Sequence, residues 1–272
     1  MSRTVLKILT LLTLLITAAA QAGDGLQWLT EQVQNGYPTA TATAYQAGAE
    51  ALTTVYRLDG SLPDADLPAT GYADNTELLA RRIIAATQTG SDTGTLMAEL
   101  LSAQDAEDGG FGSLPGYPGM AADTAFALRA LTAAGQSGSQ AAAEAVAFLA
   151  AQQAADGGWD GVYSTALAAA ALLPYRTLYA LDDVLREAAG FLLSRTAADG
   201  SAGEDFETAL VLRALRLLMT DSTDYQASAD YLSGVQQADG SWGGDVYTTA
   251  LALQAMTTWK RWRGRGIVKR RC

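Results

Sequence analysis

The sequence predicts an all-α protein, a closed ring of about six helical hairpins, and three observations predict it. A unit of about forty residues recurs, clearest in Phe148-Leu149-Ala150-Ala151-Gln152-Gln153-Ala154-Ala155-Asp156-Gly157-Gly158-Trp159 and Tyr231-Leu232-Ser233-Gly234-Val235-Gln236-Gln237-Ala238-Asp239-Gly240-Ser241-Trp242. Each copy passes from one helix through a tight turn into another. Asp-Gly or Asn-Gly is followed each time by a Thr-led apolar helix, and the last four of these threonines stand 41, 43 and 41 residues apart. Finally, helices apolar on nearly all sides, such as 208–215, alternate with amphipathic ones, such as 182–192. That is an inner layer wrapped by a solvated outer one. Such pairs bury their apolar faces best with a neighbour on each side, which favours a ring; an open superhelical solenoid is the rival. The period-two alternation of a sheet protein is absent.

The elements follow in order. Arg3 and Lys7 precede an apolar run from Ile8 to Ala20 and the small-residue site Ala20-Gln21-Ala22, which reads as a secretory signal over 1–22, cleaved before Gly23. Its apolar core is shorter than the ~20 residues that span a bilayer. A repeat domain over 23–259 then carries six turn and helix pairs: Asn35-Gly36 with Thr43, Asp59-Gly60 with Thr76, Asp108-Gly109 with Thr124, Asp156-Gly157 with Thr165, Asp199-Gly200 with Thr208, and Asp239-Gly240 with Thr249. Asp-Gly supplies the turn, and a leading Thr is expected to cap the helix amides. The second unit has room for only one helix and a loop, Leu58 to Ala73, with Pro63 and Pro68; the third has a long turn, Phe111 to Ala122.

Charge narrows the functional classes. Between Ile8 and Trp259 lie 29 acidic side chains, nine arginines and no lysine, a formal charge of −20. This repels nucleic acid and anionic lipid. The sign then flips, with seven basic residues in the last 13, a tail over 260–272 read as disordered, as an electrostatic tether, or as the mark of a longer protein cut short. Cys272 is the only cysteine, so no intramolecular disulfide forms; it is left as a free thiol or a disulfide to a partner chain.

Aromatic-Leu, three residues, Gln, three residues, Gly-x-Trp resembles the QW repeat of the squalene-hopene cyclase and protein prenyltransferase superfamily. The match is full at Phe148 to Trp159 and Tyr231 to Trp242, partial at Gln104 to Phe111, and degenerate at Phe191 to Ala202, where Thr196 stands for Gln and Ala202 for Trp. The resemblance covers roughly 24–259. It implies an α/α toroid in which the Gln amide stacks on the Trp ring and bridges one helix end to the next helix start. Gln153, Trp159, Gln236 and Trp242 are therefore assigned to packing.

The superfamily's catalytic signatures are mostly missing. Squalene-type cyclases protonate an alkene with a D-x-D-D motif; Asp64-Ala65-Asp66 and Asp182-Asp183 come nearest, and neither completes it. The prenyltransferase zinc set needs His and an internal Cys, and this chain has no His. An internal thioester fails on the same cysteine count, and Ser-His-Asp on the absence of His. Asp59, Asp64 and Asp66 do not make an EF-hand loop. Asp123, Asp205 and Glu207, at inner-helix starts, remain as candidate catalytic carboxylates, with helix capping the competing role. Tyr163, Phe206 and Tyr247, just before inner-helix starts, are candidate ligand-binding rings around a mouth, with Tyr45 nearby.

The expectation is an exported, secreted or periplasmic, non-catalytic binding or scaffold protein with no cofactor and no bound metal. Its partner is another protein, met through the acidic rim, or a small apolar or sugar ligand. The alternative is a divergent enzyme, terpenoid cyclase-like or carbohydrate-active, using the inner carboxylates.

Overall fold

The computed structural model describes residues 24–35, 41–60, 75–219, 221 and 223–257. The 1–22 segment read as a secretory signal, Pro63, Pro68, Asp64, Asp66, the basic tail and Cys272 lie outside them. Every regular element among the described residues is helical: α1 (24–34), α2 (Ala42–Asp59), α3 (Thr76–Thr89), α4 (Gly94–Ser102), α5 (Ala121–Ala133), α6 (Gln140–Gln152), α7 (Val162–Leu172), α8 (Asp182–Ser194), α9 (Asp205–Leu218), α10 (Thr223–Val235) and α11 (Val246–Met256). None is long and apolar enough to cross a membrane.

Six of these helices form the inner ring. Helix α2 packs on α3, α3 on α5, α5 on α7, α7 on α9, α9 on α11, and α11 returns to α2. The outer helices α4, α6, α8 and α10 lie against α3, α5, α7 and α9. Burial follows composition: Ala166, Leu167, Ala168 and Ala169 of α7 are all buried, whereas α10 buries only Ser228 and Leu232. The ring, rather than the solenoid, is the architecture.

One turn recurs four times. In its fullest copy the Asp156 carboxylate accepts the Gly158 N–H at 3.1 Å, and the Trp159 indole N–H donates to the Leu149 carbonyl at 2.8 Å. Gln153 Nε2 donates to Gly157 O and to Val184 O, both at 2.9 Å, which ties the end of α6 to the start of α8. Gln104 makes the same bridge from α4 to Ala141 of α6. Where Thr196 replaces Gln, its hydroxyl reaches only Leu192 of its own helix.

Four of the six threonines, Thr124, Thr165, Thr208 and Thr249, do a different job from the one expected. They stand one turn inside their helices, fully buried, and accept the backbone N–H of the residue that closes the turn. Thr124 takes Phe111 at 2.8 Å, Thr165 takes Trp159 at 2.8 Å, Thr208 takes Ala202 at 2.9 Å and Thr249 takes Trp242 at 3.0 Å. An N–H buried beneath the turn needs a partner, and a hydroxyl at that depth is the nearest one. Capping of α2, α3 and α11 falls instead to Thr41, Asn75 and Asp245.

The turn glycine meets the next outer helix. Gly240 has φ +90°, and a Cβ there would lie 2.5 Å from the carbonyl carbon of Asp24. Gly25 in turn approaches Trp242 and Leu253. Helix α1 is thus the outer partner of α11 and sits at the seam of the ring.

Candidate functional site

Counting from the buried threonines puts the residues at the ring centre in two layers. Two positions before Thr165, Thr208 and Thr249 stand Tyr163, Phe206 and Tyr247. Their rings form a continuous row: Tyr163 to Phe206 centroids are 6.3 Å apart at 69°, and Phe206 to Tyr247 6.1 Å at 50°. The structure brings together all three rings expected at the mouth, half-buried rather than sealed. Burial, then Tyr247 and Glu77, push the Tyr163 hydroxyl up, so it stays neutral. Tyr45 is buried at the threonine level instead.

Five positions after the threonines lies a layer that sequence reasoning missed. Arg81, Arg129, Arg213 and Gln254 occupy it on α3, α5, α9 and α11, and Glu50 of α2 joins it. Arg81 pairs with Glu50 and, at 2.7 Å, with Glu77. Gln254 Nε2 donates to Glu50 Oε1 at 2.7 Å and to Thr54 Oγ1 at 2.6 Å, while Gln254 Oε1 accepts from Arg213 at 2.7 Å. Burial alone would raise the Glu50 carboxyl, but Arg81, Arg129 and Arg213 together hold it well below the usual carboxylate range. The Arg81 guanidinium lies 4.9 Å from the Phe126 ring centroid and 5.5 Å from that of Tyr247, linking the two layers. Seven residues of helix separate the layers, a rise of ~10 Å. The detectable signal was the constant offset from Thr76, Thr124, Thr208 and Thr249.

The three candidate carboxylates do not meet as a catalytic group. The Glu207 carboxylate accepts the Glu204 N–H at 3.1 Å and closes a capping box at the start of α9. Asp205 accepts the Tyr231 hydroxyl from α10 at 2.9 Å. Asp123, half-buried in the first turn of α5, differs: burial and then Glu77 push its carboxyl up to about 6. Asp182 and Asp183 open α8 and pair with Arg176, at 2.5 Å, and with Arg186 on the surface.

No protein-family model matches the chain, and no curated protein matches it. Solved structures do. The ent-copalyl diphosphate synthase from Streptomyces platensis superimposes with a TM-score of 0.59 at 20% identity, over 78% of this chain and 50% of that one. A single-substitution variant of the type II terpene cyclase MstE from Scytonema, in complex with geranylgeranyl dihydroxybenzoate, gives 0.50 at 18% identity, over 89% of this chain and 97% of that one. The fold is the terpenoid cyclase α/α toroid. At these identities the likeness is one of fold. Within this toroid the QW residues serve as its braces: Trp159 and Trp242 are buried, and their indoles are fixed to Leu149 and Leu232. The chemistry a toroid centre of this kind offers is an apolar wall of rings over a buried, mainly cationic polar layer.

Proposed function

We propose that this protein is a non-catalytic binding protein, exported by its 1–22 segment, that holds a small ligand in the centre of its toroid. The observation that carries the reading is the continuous row Tyr163, Phe206 and Tyr247, three rings from three inner helices at one level. Rings that meet edge-on and tilted present a curved apolar wall, which suits an apolar body better than the flat face of a sugar. Glu207 and Asp205 support the non-catalytic reading, because each carboxylate is engaged in holding its own helix or its neighbour.

Native mass spectrometry of the protein purified from its producing cells tests this. A co-purifying apolar molecule, lost from Phe206→Ala at unchanged secondary structure, is the expected result. A bare chain that also ignores a fluorescent apolar probe, or a stable complex with another protein instead, overturns it.

One observation favours a second reading. Asp123, raised to about 6, keeps its proton into mildly acidic pH and is poised there as a general acid in a divergent enzyme. Turnover of any terpenoid or glycoside that Asp123→Asn abolishes while the fold survives would establish it.

A further inference from the structure

Helix α7 breaks the pattern of the polar layer. Where its companions carry Arg, Gln or Glu, it carries Ala170, five residues after Thr165. Helices α5 and α9 flank α7, so this short side chain lies between Arg129 on one side and Arg213 on the other. Ala170 keeps partial solvent access although Ala169 and Ala171 beside it are buried. Arg129 is half-buried too. At α7 the layer therefore carries a short, partly accessible side chain between two arginine-bearing helices.

The guanidinium groups here outnumber the carboxylates that face them, since Arg81, Arg129 and Arg213 share Glu50 and Glu77 adds one more. Arg81 has two carboxylates, Glu50 and Glu77. Arg213, 5% exposed, bonds to the neutral amide of Gln254, and Arg129 lies 5.5 Å from the Phe126 ring centroid. Neither pairs with a carboxylate among the described residues. Burial, then Arg129, push Arg213 down to about 10, and the same causes do so to Arg57 at the end of α2. Nine arginines occur between Ile8 and Trp259, and three of them, Arg81, Arg129 and Arg213, stand in this one layer. Cations held together away from water are costly without a counter-charge.

We propose that a small oxyanion, a carboxylate or a phosphate, seats over Ala170 between the guanidinium groups of Arg129 and Arg213. Planar guanidinium forks suit either oxyanion, and the desolvated setting strengthens the bonds. The inference rests on the toroid centre being a ligand site, as read above, and adds an acidic head to the ligand. With ~10 Å between the layers, an acid with a medium-length apolar body would reach both.

Thermal unfolding of the full chain in chloride buffer at constant ionic strength, with inorganic phosphate, acetate or decanoate added, tests it. The expected result is a saturable rise in Tm, roughly 5 °C at a hundredfold excess over Kd, abolished by Arg129→Gln. A response to phosphate alone assigns a phosphate head; a response to acetate and decanoate assigns a carboxylate. Decanoate acting at far lower concentration than acetate joins head to rings. A second measurement asks about charge alone: Ala170→Glu supplies the carboxylate itself, so it should melt above Ala170→Gln and lose its anion response. A flat titration in the unmodified protein, or Ala170→Glu melting no higher than Ala170→Gln, overturns the proposal. A neutral apolar molecule co-purifying beside a flat titration would sink the anion seat and leave the ring reading standing.

Discussion

Thr165 Oγ1 accepts the backbone N–H of Trp159 at 2.8 Å and donates to Gly161 O at 2.6 Å, so one buried hydroxyl serves both sides of a turn. Removing it while keeping the shape leaves the Trp159 N–H sealed from water and unbonded. Thr165→Val should therefore cost about 1–3 kcal/mol in urea unfolding, and Thr165→Ser clearly less. Equal loss in both would mean that the methyl group, not the hydroxyl, holds the turn.

The centre of the polar layer makes a steeper demand. Glu50→Gln leaves Arg81 with Glu77 alone in a buried setting, and a loss of about 3–5 kcal/mol is expected. Because the folded state holds this carboxyl below its ordinary 4.5, its contribution is complete above that value and lost as pH falls towards the folded one. Acid unfolding of Glu50→Gln should accordingly be shallower below about pH 4.5 than that of the unmodified protein. Parallel acid limbs would contradict the electrostatic account.

Asp123 works with the opposite sign. Its folded value near 6 exceeds its ordinary 3.8, so the folded state binds the extra proton and stability falls as pH rises from 3.8 to about 6, then levels. Asp123→Asn should lack that fall and melt above the unmodified protein at pH 7, while the two converge below the window. Direct NMR titration of the carboxyl carbon gives the same answer independently; a midpoint near 4 would remove both this prediction and the general-acid reading.

Two glycines should respond in opposite directions. Gly240→Ala forces a Cβ into the backbone of Asp24 at φ +90° and should weaken the seam, whereas Gly234→Ala, inside α10 with nothing within 4 Å of the new Cβ, should stabilise by about 0.5–1 kcal/mol. Circular dichroism melts of the pair suffice as the check.

The inner helices, their order and the ring were legible because burial on all sides leaves a compositional mark that survives without any knowledge of contacts. The roles of the threonines were not. A Thr near a helix start reads as a cap by local rules, and only the docked turn above it turns Thr124 or Thr249 into an acceptor for Phe111 or Trp242. Arg129 and Arg213 were missed for a related reason. A single arginine in an apolar helix looks like a solvated face, until six such helices close and that face becomes an interior. The rings Tyr163, Phe206 and Tyr247 were found because they share one position in the repeat; the polar layer shares one too, but varies in residue type.

The Gln254 to Glu50 hydrogen bond joins residues 204 apart in the chain. A linear array of repeats can fray, giving up its end units one at a time at little cost to the rest. A bracelet with its clasp shut has no end unit, and every hairpin lost must break two neighbours' contacts at once. Melting should then be a single cooperative event, and refolding should wait on the slow meeting of the first and last helices, with the penalty of closing so long a loop falling on the rate.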